Sequence, residues 1–162
     1  MRRPLRAGAL VLVASTIATA GCTVFGEAGT CISWAPFATP GEALDNAELT
    51  VTARILDRDG TAHLYDTDAH VWTMTTDGLA PLRGEAPSET VRVISTPVTC
   101  EDGGPYPDGD PLDTDDTLVL FLTRDQAGDD WRTLTPRQGT VPAGPAGELP
   151  QEWPHGLDRQ AR

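Results

Sequence analysis

The sequence predicts a small, mostly β domain: five or six short strands and one short helix, arranged as a barrel or a sandwich. Apolar and polar residues alternate over residues 49–55, which is typical of a strand. The continuous apolar run 118–122 has the length of a strand buried on both faces. The chain also has 16 glycines and 14 prolines in 162 residues, and these supply the turns that such a fold needs.

The helix is the first element that the sequence predicts. Thr39 is a suitable N-cap, Pro40 suits the first helical position, and Glu42 follows the cap by three residues. We therefore expect one or two helical turns that end near Asn46.

The strands follow the helix and are separated by turn residues. In chain order, they are predicted at residues 49–55, 70–76, 90–98, 118–122, 131–135 and 139–141. The sequence 57–60, Asp-Arg-Asp-Gly, predicts a turn after the first strand. His63 and His70 are expected to flank a turn and to face solvent, and Val91 and Val93 to point inward.

The N-terminus has the layout of a secretory signal peptide. Arg2, Arg3 and Arg6 precede an uncharged, mostly apolar stretch that ends in small residues. Residues 19–22, Thr-Ala-Gly-Cys, resemble the lipobox of bacterial lipoproteins, except that Thr19 stands where Leu is usual. The resemblance implies that Cys22 is acylated after removal of residues 1–21. The alternative is ordinary secretion with cleavage near Ala20.

The predicted organisation has four parts. The signal peptide (1–21) is followed by a tether (22–30), a β domain (31–142) and a loose tail (143–162). Without the signal peptide, the chain has nine arginines and 24 acidic residues, so its formal charge is −15. Such a chain is a poor partner for nucleic acid, and an anionic bilayer would repel it. Lipid, at about 0.8 kcal/mol per buried CH₂, would then provide the attachment to the membrane.

The chain has three cysteines, and an odd number in an exported protein needs an explanation. If Cys22 carries lipid, then Cys31 and Cys100 are left to form a disulfide, which persists in an oxidising compartment. The loop-entropy model gives about 4.4 kcal/mol of stabilisation for a disulfide that closes the loop of residues 31–100. Two buried thiols, or a metal site, are the alternatives.

The N-terminal part of the predicted domain resembles the netrin-like domains, which include the tissue inhibitors of metalloproteinases. The resemblance rests on Cys31, Pro40, Ala43, Leu44 and the run 46–54. It implies a closed or partly open OB-like barrel in which Cys31 pairs with a cysteine after the third strand, where Cys100 lies. The inhibitors chelate zinc through the free amine of an N-terminal cysteine. Cys31 is internal, so this activity is not carried over.

Candidate site residues fall into an acidic group and an aromatic group. Asp108, Asp110, Asp113 and Asp115 lie on a glycine-containing stretch that suits Ca²⁺, although the spacing is not that of an EF-hand. The alternative is a solvated loop of repelling charges. Trp34 and Tyr106, near the two cysteines, are expected to frame a patch for a protein partner.

The sequence has no recognisable catalytic motif. None of its serines lies in a Gly-x-Ser-x-Gly elbow, and the absence of lysine excludes Schiff-base chemistry. The sequence therefore predicts a non-enzymatic lipoprotein on the extracytoplasmic face of the cell membrane, a binding or accessory module of the envelope whose partner protein or ligand the sequence does not identify. The alternatives are a carboxylate- or calcium-dependent envelope hydrolase and a structural spacer.

Overall fold

The computed structural model of the chain describes residues 31–86, 88–100 and 104–157. The predicted signal peptide, Cys22 and the tether lie outside the described residues. Within them there is one helix and there are six strands. They are α1 (Pro40–Asn46), β1 (Leu49–Leu64), β2 (Thr67–Thr75), β3 (Thr90–Ile94), β4 (Leu118–Arg124), β5 (Trp131–Thr133) and β6 (Thr140–Pro142).

Helix α1 begins and ends where its capping residues predict. The Thr39 hydroxyl accepts a hydrogen bond from the Glu42 amide at 3.2 Å, and the Glu42 carboxylate accepts one from the Ala38 amide at 2.6 Å. The first bond satisfies an amide of the first helical turn, and the second ties the residue before the cap to that turn. The backbone turns extended at Ala47, so the helix spans less than two full turns before β1 begins.

Five strands pair in a ring. This confirms the predicted fold class, a mostly β domain with one short helix. Their order is β1-β2-β3-β5-β4, and β4 pairs again with β1. The β3–β5 pair is parallel and the others are antiparallel. Strands β5 and β6 pair with the same edge of β4. Residues 122–124 of β4 pair with β5, and residues 118–120 pair with β6. The sheet is therefore mixed, and five of its strands form a ring without forming a clear barrel.

Strand β1 closes the ring because it changes partners along its length. Residues 49–53 pair with β4, and residues 54–64 pair with β2. The predicted turn at residues 57–60 is wrong: these residues belong to β1 and contain a register shift, where Gly60 takes a φ of +91°. A bulge uses the same glycine conformation as a turn. The chain reverses at Tyr65 and Asp66, between His63 and His70, as predicted for the two histidines.

Strand β3 is shorter than the sequence predicts. It ends at Ile94, and residues 95–98 leave the sheet. The Thr96 amide donates to the Thr133 hydroxyl at 2.8 Å, and Pro97 has no amide hydrogen to extend a ladder. Val91 and Val93 point into the core as predicted.

Strand β4 is buried on both faces, as its apolar run predicts. Leu118, Leu120 and Leu122 belong to the cluster inside the ring. Val119 and Phe121 belong to a second cluster on the outer side, with side chains from α1 and from residues 143–157. This second cluster explains why β4 shows no alternation of apolar and polar residues.

Residues 143–157, within the predicted tail, contain no helix or strand but contact the domain. The Trp153 ring lies edge-on to Phe121 with centroids 5.9 Å apart, and its Nε1 donates to the Phe37 carbonyl at 2.9 Å. The Gly147 carbonyl accepts from the Thr52 hydroxyl at 2.7 Å. Thr52 is therefore buried, although alternation along β1 predicts that it faces solvent.

Candidate functional site

The buried carboxylate of Asp110 is the centre of a polar cluster beside the ring. Its side chain is 3% exposed. Oδ2 accepts from His70 Nδ1 at 2.7 Å and from Trp72 Nε1 at 2.9 Å. Oδ1 accepts from the Ser95 hydroxyl at 2.6 Å and from the Leu112 amide at 2.9 Å. A carboxylate offers about four lone-pair sites, so these donors occupy all of them.

The strands place three of the donors, and a long loop brings the acceptor to them. His70 and Trp72 are two residues apart on β2, so their side chains lie on the same face. Ser95 follows β3, and its amide donates to the His70 carbonyl at 2.8 Å. Asp110 lies between β3 and β4. The chain therefore forms this cluster only when β2 and β3 are paired.

Tyr106 completes the cluster from the same loop as Asp110. Its ring centroid lies 4.5 Å from that of His70. Its hydroxyl accepts from the His70 amide at 3.0 Å and donates to the Ser95 carbonyl at 2.7 Å. Burial of the phenol, with a smaller contribution from the negative charge of Asp110, raises the pKa of Tyr106 to about 12. We call Asp110, His70, Trp72, Ser95 and Tyr106 the Asp110 cluster.

The Asp110 cluster contains a serine, a histidine and an aspartate, but not in the arrangement of a nucleophile and its base. The Ser95 side chain is fully buried and donates to Asp110. A catalytic serine would instead donate to the histidine, which the carboxylate would orient. Asp110 thus serves as a common acceptor that fixes the two strands and the loop to one another.

Two grooves border the Asp110 cluster. The larger, of about 550 Å³, lies between β1 and the loop before β4, and its walls include Leu56, Trp72, Asp113 and Asp115. Arg58, which also lines it, has its guanidinium 6.0 Å from the centroid of the Trp72 ring. These walls combine carboxylates, a guanidinium and an aromatic ring.

The smaller groove, of about 370 Å³, lies on the other side of Tyr106. Pro107, Pro111, Pro136 and Leu157 give it apolar walls. The Asp108 carboxylate, at its rim, accepts from Arg137 at 2.7 Å. The proline and leucine walls make it the more apolar of the two grooves.

The four aspartates of the predicted calcium site have different surroundings. Asp108 pairs with Arg137, Asp110 is saturated by protein donors, and Asp113 and Asp115 line the larger groove. Within the part of the chain that the structure describes, no three or more His, Cys, Asp or Glu residues are placed to hold a metal ion. Asp110 would have to lose a protein donor to bind a cation, so the calcium site stays a prediction.

The two predicted aromatic residues contact different neighbours and the patch for a protein partner stays a prediction, whereas Cys31 and Cys100 come together. Tyr106 belongs to the Asp110 cluster, while the Trp34 ring lies edge-on to Tyr65 with centroids 5.7 Å apart. Cys31 and Cys100 form a disulfide. The choice between a disulfide, two thiols and a metal site, which the sequence leaves open, is therefore settled for this pair.

The sequence assigns none of the hydrogen bonds within the Asp110 cluster. It places Asp110 in a cation loop and expects His70 to face solvent, but the His70 side chain is only 23% exposed. The available signal is a histidine two residues before a tryptophan in a strand, since both need a buried acceptor if that face is covered. The sequence does not indicate which of the many aspartates provides it.

Comparisons of the chain with protein-family models, with curated proteins and with solved structures find no match. No helix of the described residues is long and apolar enough to cross a membrane.

Proposed function

We propose that the protein is an exported lipoprotein, anchored to the cell membrane through Cys22, whose β domain binds a partner in the cell envelope. The observation that carries this proposal is the Cys31–Cys100 disulfide. It accounts for two of three cysteines and leaves Cys22, directly after the signal-like segment, as the odd one. A disulfide is also typical of exported proteins.

The binding role, as opposed to a catalytic one, is supported by the Asp110 cluster. Its serine and its carboxylate are buried and hydrogen-bonded to each other, which leaves neither group available to a substrate. The two grooves beside it offer surface to a ligand. The ring of five strands, with Cys100 after the third, supports the netrin-like assignment as part of the same proposal.

Metabolic labelling with a palmitate analogue tests the anchor. The wild type should incorporate label and Cys22→Ala should not. The matched control is the double variant Cys31→Ala with Cys100→Ala, which removes two cysteines but keeps the acylation site, and it should be labelled like the wild type. Equal labelling of Cys22→Ala and the wild type would contradict the proposal.

A photo-crosslinking residue tests the binding role. Placed at Pro107, in the smaller groove, it should give one reproducible adduct in intact envelopes. The control position is Leu79, which is 48% exposed and lies outside both grooves. Adducts of the same pattern and yield from both positions would count against a specific partner at that groove.

A further inference from the structure

The Cys31–Cys100 disulfide joins two segments that lie outside the ring of strands. Cys31 begins the arm, which we define as residues 31–37, ahead of α1, and Cys100 lies in the connection that follows β3. Both cysteines are exposed. Strand pairing closes the ring without either of them. The bond therefore holds the arm, while the ring has its own stabilising contacts.

The inner end of the arm is held by buried polar contacts. The Phe37 amide donates to Gln138 Oε1 at 2.8 Å. The Phe37 carbonyl accepts from Gln138 Nε2 at 3.0 Å and from Trp153 Nε1 at 2.9 Å. Gln138 is 4% exposed and Trp153 is 7% exposed, so water competes weakly for these bonds.

The outer end of the arm has fewer contacts. The Ile32 amide donates to the Thr99 hydroxyl at 2.9 Å, and the Trp34 ring contacts Tyr65. The Trp34 indole nitrogen is buried, yet no acceptor among the described residues takes its hydrogen. A buried donor without an acceptor has lost its bond to water, and exposure restores that bond. The docking of Trp34 is therefore opposed by the solvation of its own side chain, and the disulfide holds it in place.

We infer that the Cys31–Cys100 disulfide is a redox latch on the arm: a protein dithiol reduces it, residues 31–36 leave the domain, and Phe37 and the ring stay in place. One thiolate of the dithiol attacks the sulfur of one of the two exposed cysteines, and the electron pair of the S–S bond leaves on the sulfur of the other. The second thiol of the reductant then resolves the mixed disulfide. The protein gains two electrons and two protons, and the reductant is released as its own disulfide.

The inference goes beyond the proposed anchor and does not depend on it. Amide exchange of the purified full chain, with and without a thioredoxin-type dithiol, tests the latch. The Ile32 amide should exchange at least about tenfold faster after reduction, because its acceptor Thr99 is adjacent to Cys100 and the arm is no longer tied to it. The Phe37 amide, which has a buried acceptor, should change by less than about twofold.

Two variants complete the test. The double variant Cys31→Ser with Cys100→Ser should show fast Ile32 exchange without the dithiol and no further response to it. Trp34→Phe keeps an aromatic ring against Tyr65 but lacks the unpaired N–H, so at a fixed dithiol ratio its equilibrium should shift towards the disulfide, by about tenfold.

Three outcomes would overturn the latch. The first is resistance of the native disulfide to the dithiol, read from alkylation of Cys31 and Cys100. The second is complete reduction with unchanged exchange at Ile32. The third is loss of protection at Phe37 and in the strands together with Ile32, which would mean that the bond stabilises the whole fold. None of these readouts depends on lipid, so they are independent of the anchor.

Discussion

The interior of the ring and the Asp110 cluster lie side by side but are stabilised by different interactions. The interior holds apolar side chains that alternate along neighbouring strands, such as Val51, Val93 and Leu120. The Asp110 cluster joins two strands and a loop through hydrogen bonds to one carboxylate. Burial of apolar area has no preferred direction, whereas each hydrogen bond requires a particular donor at a particular angle.

This difference affects how each region tolerates substitution. A truncated apolar side chain leaves a cavity, with a cost that grows with the missing volume. A changed acceptor leaves several donors buried without a partner, with a cost that depends on how many remain unpaired. Each type of cost can be measured against a matched variant at an exposed or unpaired position.

Leu120→Ala should have the largest effect. Leu120 is fully buried inside the ring, and such a truncation costs about 3–4 kcal/mol of unfolding free energy. The exposed control Leu56→Ala, at 57% exposure, should stay within about 0.5 kcal/mol of the wild type. Urea denaturation of both variants checks this, and equal midpoints would mean that the ring interior is not the main core.

Asp110→Asn should cost somewhat less, about 3 kcal/mol. The new amide places hydrogens where the carboxylate accepted them, so at least one of His70, Trp72 and Ser95 loses its acceptor. Asp113→Asn, on the wall of the larger groove, is the matched control and should be nearly neutral. If Asp110→Asn unfolds at the same urea concentration as Asp113→Asn, the cluster contributes little to stability.

Trp72→Phe compared with Trp131→Phe isolates one bond of the cluster. The two tryptophans are 6% and 5% exposed, so both substitutions leave similar cavities. Trp72 donates its indole hydrogen to Asp110, while Trp131 has no acceptor among the described residues. Trp72→Phe should therefore cost about 2 kcal/mol more than Trp131→Phe, the usual value for a bond to a charged acceptor. Equal costs in urea denaturation would show that the bond is not formed in solution.

The two regions also differ in how much of them the sequence predicts. Strand β4, the inward face of β3 and the limits of α1 follow from apolar runs, alternation and capping residues, which act within a few positions of the chain. The prediction of a turn at residues 57–60 is wrong because Gly60 lies in a bulge of a strand that continues. A local pattern cannot distinguish the two, since both require the same backbone conformation.

The Asp110 cluster could not be predicted from the sequence for a different reason. His70 and Asp110 are 40 residues apart, and any of several nearby aspartates could serve as acceptor. The choice depends on how the loop between β3 and β4 lies against the sheet, which is a property of the folded chain. Cys31 and Cys100 were predictable over a longer separation because only three cysteines exist, so the number of pairings is small.

The smallest effect is expected in alkaline solution, where Tyr106 ionises. Burial raises the pKa of Tyr106 from 10.0 to about 12, so between these values the unfolded chain releases a proton that the folded chain retains. The stabilisation is fully present below pH 10 and is lost as the pH rises to about 12. The chain has no lysine, which leaves this pH window to few other groups. Urea midpoints between pH 9 and 12, at about half-unit steps, should fall in Tyr65→Phe but stay flatter in Tyr106→Phe. Parallel declines in the two variants would place the alkaline sensitivity outside the Asp110 cluster.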